Sequence, residues 1–156
     1  TASKVVQTGG SAVLKMKAIT RGAGASINFS ASSIATTDTS NDATGILGNW
    51  ATVGGSDWAT NSTNTLDGPI TAYSGYTDLA NDAVIANGST TNVRINSNGG
   101  GGSMTLGSTT TTINTLLQNN ASQPAIIDPG TDTTFDDVLT TRRAMATADT
   151  VCAPVL

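Results

Sequence analysis

Short runs of residues alternate apolar and polar with period two along this chain. Leu14, Met16 and Ala18 share one face against Lys15 and Lys17, and Ile27 and Phe29 alternate with Ser26, Asn28 and Ser30. Val93 and Ile95 straddle Arg94, and Met104 and Leu106 straddle Thr105. This is the pattern of half-buried strands. Turn signals separate the runs: Gly9-Gly10, Arg21 to Gly24, Asp38 to Asp42, Gly54-Gly55, Asp67-Gly68-Pro69, Asn87-Gly88, Asn98 to Gly102 and Asp128-Pro129-Gly130. Many short strands between regular turns predict a sandwich, a barrel or a β-solenoid.

Composition selects among the three. Only 37% of the residues are hydrophobic, while Ser and Thr together make up more than a quarter of the chain. A sandwich of this length needs a denser inner face. A solenoid coil needs two or three inward apolar side chains per strand and carries Ser, Thr and Asn on its outer faces. The expectation is therefore an all-β parallel β-helix, a β-solenoid, over residues 1–130. At about 20 residues per coil it would make roughly six to eight coils in all.

Residues 131–156 read differently, as a C-terminal cap or assembly tail. One reading is a short helix, capped by Thr133 or Thr134, with Asp136 and Asp137 at its positive end and Arg142 and Arg143 at its negative end. Phe135, Val138, Leu139 and Met145 would form its apolar stripe. The other is one more coil followed by an extended tail, in which Val151, Cys152, Val155 and Leu156 add a strand to a neighbouring copy. Cys152 is the only cysteine, so an internal disulfide is excluded.

Absent residue types narrow the chemistry. The chain has no His, and all 11 acids are Asp. That excludes a Ser-His-Asp triad and the common zinc sites, and leaves no catalytic or cofactor-binding motif. Seven basic residues spread along the chain make nucleic acid an improbable partner. No apolar run reaches the length of about 18 that a spanning helix needs. Asp38, Asp42, Asp57, Asp78, Asp82, Asp128 and Asp132 fall in turns, where calcium could be held, although Asp favours turns on its own account. Asn-x-Ser/Thr triplets at Asn28, Asn61, Asn87 and Asn120 are what so much Asn, Ser and Thr yields by chance. Gly99 to Gly102 is followed by no Lys-Ser/Thr and reads as a loop between strands.

The residues Ala18-Ile-Thr-Arg-Gly-Ala-Gly-Ala-Ser-Ile-Asn-Phe29 precede a block running from Ala43 through Gly45-Ile-Leu-Gly-Asn-Trp50 and Ala-Thr-Val-Gly-Gly-Ser-Asp-Trp58 to Ala59. Ile70 to Tyr76 and the strand Thr91 to Asn96 follow. In this order they resemble the autotransporter-associated β-strand repeat proteins, large secreted or surface proteins of bacteria, planctomycete-like lineages among them. The resemblance covers roughly Leu14 to Gly130 and implies a parallel β-helix outside the cell, with no catalytic motif to carry over. After Gly130 the sequence departs from that pattern. The chain opens at Thr1 without a charged-then-apolar leader, which reads as a processed product or an excised piece of a longer passenger.

Within the block, Gly45 and Gly48 allow tight bends, and Trp50 and Trp58 flank the Gly54-Gly55 turn. Core or corner packing is the first reading of the indoles. The alternative is a carbohydrate platform with Tyr73 and Tyr76. The function expected is a non-enzymatic, extracellular structural or adhesive module. Its partners would be copies of itself and surface glycans, and it would assemble into a layer or filament. The enzymatic alternative is a β-helix polysaccharide-degrading enzyme using Asp carboxylates and Arg94 with calcium.

Overall fold

The computed structural model describes residues 1–80, 83–95, 103–118 and 126–128. Thirteen strands and no helix occur among them. The fold is a parallel β-solenoid of about 5 turns. In the first part, β1 (Ala2–Val5), β3 (Ser26–Phe29) and β5 (Ala51–Val53) form one parallel wall, and β2 (Leu14–Lys15) and β4 (Ala35–Thr37) form the other. In the second, β8 (Thr77–Leu79), β10 (Gly88–Ile95) and β12 (Ile113–Gln118) form one wall. Opposite it, β9 (Val84–Ile85), β11 (Ser103–Leu106) and β13 (Ile126–Asp128) form the second. Turn length varies: register partners lie 24 residues apart for Asn28 and Thr52, 16 for Asp78 and Arg94, and 23 for Asn92 and Thr115.

The period-two pattern sets the inner face. Val5, Phe29 and Val53 stack in register, as do Ser3, Ile27 and Ala51, and this wall closes on Ala35 and Ile34 from the other. A second, separate core gathers Leu79, Ile85, Val93, Ile95 and Met104. Leu14 departs from its expected place. It is in register with the buried Ala35, yet it is 48% exposed, β2 being the edge strand of its sheet among the described residues.

The expected run of six to eight parallel coils is also corrected, because the chain reverses between the two parts. Ser56 N–H donates to Val53 C=O at 3.2 Å, and the two residues between them, Gly54 and Gly55, have φ of 67° and 77°. Positive φ at both central positions is what a type I′ turn demands, and that turn folds strands back antiparallel. So β6 (Asp57–Asn61) returns along β5, and β7 (Gly68–Ala72) pairs antiparallel with both β6 and β4. This three-stranded meander bridges the two walls of the first part and takes up the chain of about one coil. The turn was legible in the sequence; its hand was not. The helix expected after residue 131, like the tail residues Val151, Cys152, Val155 and Leu156, lies outside the described residues.

Candidate functional site

The Gly-Ile-Leu-Gly block forms the loop that leads into β5. Ile46 is fully buried and Leu47 nearly so, which pins the loop to the protein. Asp42 organises its start, accepting from Thr44 N–H at 2.8 Å and Thr44 Oγ1 at 2.6 Å. Gly45 and Gly48 have φ of 85° and 116°. A Cβ on Gly48 would stand 2.5 Å from Trp50 Nε1, so the Trp50 indole lies across a backbone position that only glycine leaves open.

Trp50 is half-buried against the first core, and Trp58 is 3% exposed. The two indoles do not form an open platform. Both residues border one pocket of about 150 Å³ together with Ala2, Ser3, Ser26, Ile27, Asn28, Asn49 and Thr52. Asn28 Oδ1 is engaged at its edge, accepting from Gly55 N–H at 2.9 Å and Thr52 Oγ1 at 3.1 Å. Trp58 Nε1 is a buried donor that meets no hydrogen-bond partner among the described residues. Unpartnered buried donors are uncommon in native proteins and are costly.

Trp58 links the cavity to a second constellation. Its N–H donates to Tyr76 Oη at 2.9 Å, and its C=O accepts from Tyr73 N–H at 2.8 Å. The Tyr73 and Tyr76 rings meet edge-to-face at 4.9 Å, and the Arg94 guanidinium lies 4.6 Å from the Tyr76 ring centroid. Burial pushes the Tyr76 phenol well above its ordinary range, so it stays a neutral acceptor. Arg94 binds Asp78 through two hydrogen bonds and approaches Asp57 at 3.5 Å. Packed this way, Tyr73 and Tyr76 brace Arg94 rather than present a stacking face with the tryptophans.

The turn aspartates are engaged in internal contacts. Asp38 Oδ1 accepts from Asp67 N–H at 2.8 Å, Asp67 faces Lys15 and Lys17, and Asp57 and Asp78 face Arg94. Among the described residues no three acids gather as a metal site would require. Asp82 and Asp132 lie outside the described residues, and Asp128 closes β13. No helix among the described residues is long and apolar enough to cross a membrane.

Two polar anchors had no sequence signal. Asn61, 1% exposed, donates from Nδ2 to the carbonyls of Thr37, Thr39 and Thr65. Asn92 donates to Thr44 C=O at 2.9 Å while its Oδ1 accepts from Asn114 Nδ2 and Thr115 Oγ1. Apart from Thr65, their partners lie 22 to 48 residues away in a chain of unequal turns, where no local spacing marks them. Searches of protein-family models, curated proteins and solved structures find no match to this chain.

Proposed function

We propose that this chain is a non-catalytic structural and adhesive module of the bacterial surface, of the autotransporter-associated β-strand repeat kind. In this reading it acts outside the cell and assembles with copies of itself by adding strands at its open turn, toward a layer or filament. The observation that carries the reading is the edge of β1. Ser26 N–H and Ser30 N–H donate to Thr1 C=O and Val5 C=O, each at 2.9 Å. Because a parallel ladder alternates, residues 1, 3 and 5 face β3, and the amides of Ala2 and Lys4 face away from it. The same turn exposes Val6 at 52%, Val13 at 48% and Leu14 at 48%. An edge that no described strand covers, bordered by apolar side chains, favours pairing with another chain. The engagement of Asp38, Asp42, Asp57, Asp67 and Asp78 in ion pairs and turns speaks for a scaffold over a polysaccharide-degrading enzyme.

Lys4→Pro tests the reading. It removes one outward N–H while sparing the bonds to β3. In sedimentation over a range of concentrations, the parent chain should associate and Lys4→Pro should stay monomeric with the same melting temperature. A parent chain that remains monomeric at high concentration, or a Lys4→Pro variant that associates equally well, overturns it. Electron microscopy of the associated material then separates a filament from a layer.

A further inference from the structure

We infer that the open first turn takes up the last described turn of a second copy, so that copies stack head to tail, β1 on β12 and β2 on β13. This rests on the self-assembly reading above and adds to it which face the partner offers.

The two ends match as strand edges. Among the described residues β1 and β2 are the edges of their sheet, and β12 and β13 each end theirs. All four stand in parallel ladders, β1 with β3 and β2 with β4 at one end, β12 with β10 and β13 with β11 at the other. They also come in the same order along the chain, with eight residues between β1 and β2 and seven between β12 and β13. A copy that continues the solenoid therefore meets two edges at once, in the parallel sense that both walls already use. The apolar rows match as well. Leu14 is in register with the buried Ala35 and Ile127 with the buried Met104, yet Leu14 is 48% exposed and Ile127 38%. Setting β2 on β13 lays one row over the other and takes both from water.

Charge gives the contact its direction. Residues 1–37 carry Lys4, Lys15, Lys17 and Arg21 and no acid, whereas residues 95–156 carry five Asp and two Arg. Asp67 and Asp38 offset Lys15 and Lys17, while Lys4 and Arg21 meet no acid among the described residues. Opposite charge favours a first turn on a last turn, and like charge opposes two first turns. An acidic glycan would answer the cations alone and leave Val6, Val13 and Leu14 in water. Because the contact joins unlike faces, it repeats from copy to copy as a one-way stack.

Ile127→Lys tests the far face. It sets a cation in the last turn's inner row, opposite the basic first turn of the next copy. In the single chain the 38% exposed site lets the ammonium reach water. In sedimentation Ile127→Lys and Lys4→Pro should each run as monomers. Their equimolar mixture should run as a dimer and grow no further, because each supplies the intact end that the other lacks. The parent's association should weaken several-fold as salt rises from about 0.01 M to about 0.15 M, which shortens screening from about 30 Å to about 8 Å. That measurement needs no substitution and stands even if Ile127→Lys fails to fold. Parent-like association of a folded Ile127→Lys, a mixture that stays monomeric, or association that strengthens with salt overturns the inference while self-assembly stands. A parent chain that stays monomeric overturns both; binding of polygalacturonate by that monomer at low salt would assign the basic turn to an acidic glycan.

Discussion

Arg94 grips Asp78 through both carboxylate oxygens, Nε to Oδ1 at 2.6 Å and Nη2 to Oδ2 at 2.9 Å, and the two residues are register partners on β10 and β8. Bidentate geometry of this kind fixes orientation as well as charge. The same guanidinium approaches Asp57 of β6 and lies over the Tyr76 ring. One cation thus ties the meander of the first part to the first wall of the second. Its hydrogen bonds hold the Asp78 carboxyl below the usual carboxylate range.

That depression has a pH consequence. A carboxyl whose folded pKa is lowered adds stability above its unfolded pKa of about 3.9 and loses it as the pH falls through the lower folded value. Asp78 is 39% exposed, so solvent screening limits the pair to about 0.2–1 kcal/mol. Asp78→Asn should therefore melt slightly below the parent near neutral pH. The gap should close as the pH drops below about 4. Thermal unfolding followed across that range checks it, and a gap that widens in acid would contradict the assignment.

Gly48→Ala should be costly out of proportion to one methyl. The residue has φ of 116°, and the new Cβ would meet Trp50 Nε1 at 2.5 Å. Backbone strain there is about 1–3 kcal/mol, before any displacement of the indole. For a chain of this size each kcal/mol lowers the melting temperature by roughly 2–4 °C. Gly9→Ala is the control, since nothing lies within 4 Å of its Cβ position and its φ is not positive. Equal melting of the two variants would remove Gly48 from any role in holding the loop.

What could be read from the chain was the local alternation. Val93 and Ile95 are buried on either side of Arg94, and Met104 is buried beside an exposed Thr105. Parallel stacking followed from the thin apolar content, since so few large side chains fill only a narrow core. The reversal at Gly54-Gly55 was hidden because a glycine pair serves a coil corner and a hairpin equally well. Leu14 shows the same limit. Its place in a row is local, but whether another turn covers it is not. The cavity was out of reach for a third reason: Ser3, Asn28 and Thr52 come from three successive turns and meet only once the register is set.

The two cores should open separately. One gathers around Phe29 and Ile70, the other around Val93 and Met104, and Asn92 bridges them by its bond to Thr44 C=O. Asn92→Ala removes that bond, leaves the Thr115 hydroxyl without this acceptor and costs the Asn114 amide one of its two, the other being Thr44 Oγ1. The expected result is faster amide exchange in β10 and β12, with the β1–β3–β5 wall unchanged. Uniform acceleration through both walls would instead show one cooperative unit.

Asn61→Asp gives the opposite pH response from Asp78. Its Nδ2 donates to three carbonyls, Thr65 at 2.8 Å, Thr39 at 3.1 Å and Thr37 at 3.3 Å, while Asn41 brackets its backbone from both sides at 2.8 and 2.9 Å. Asn61→Ala leaves buried carbonyls unmet and should cost about 2–4 kcal/mol. Asn61→Asp is worse at neutral pH, because a buried carboxylate would face those carbonyl oxygens with no donor between them. Burial and repulsion raise the folded pKa of such a group, so its neutral form is favoured in the native state. Stability then recovers as the pH falls and the carboxyl takes a proton that it can donate to one carbonyl. Melting of Asn61→Asp should accordingly rise, relative to Asn61→Ala, between about pH 7 and about pH 4. A parallel course for the two variants would mean that the position is open to water and the three carbonyls do not depend on it.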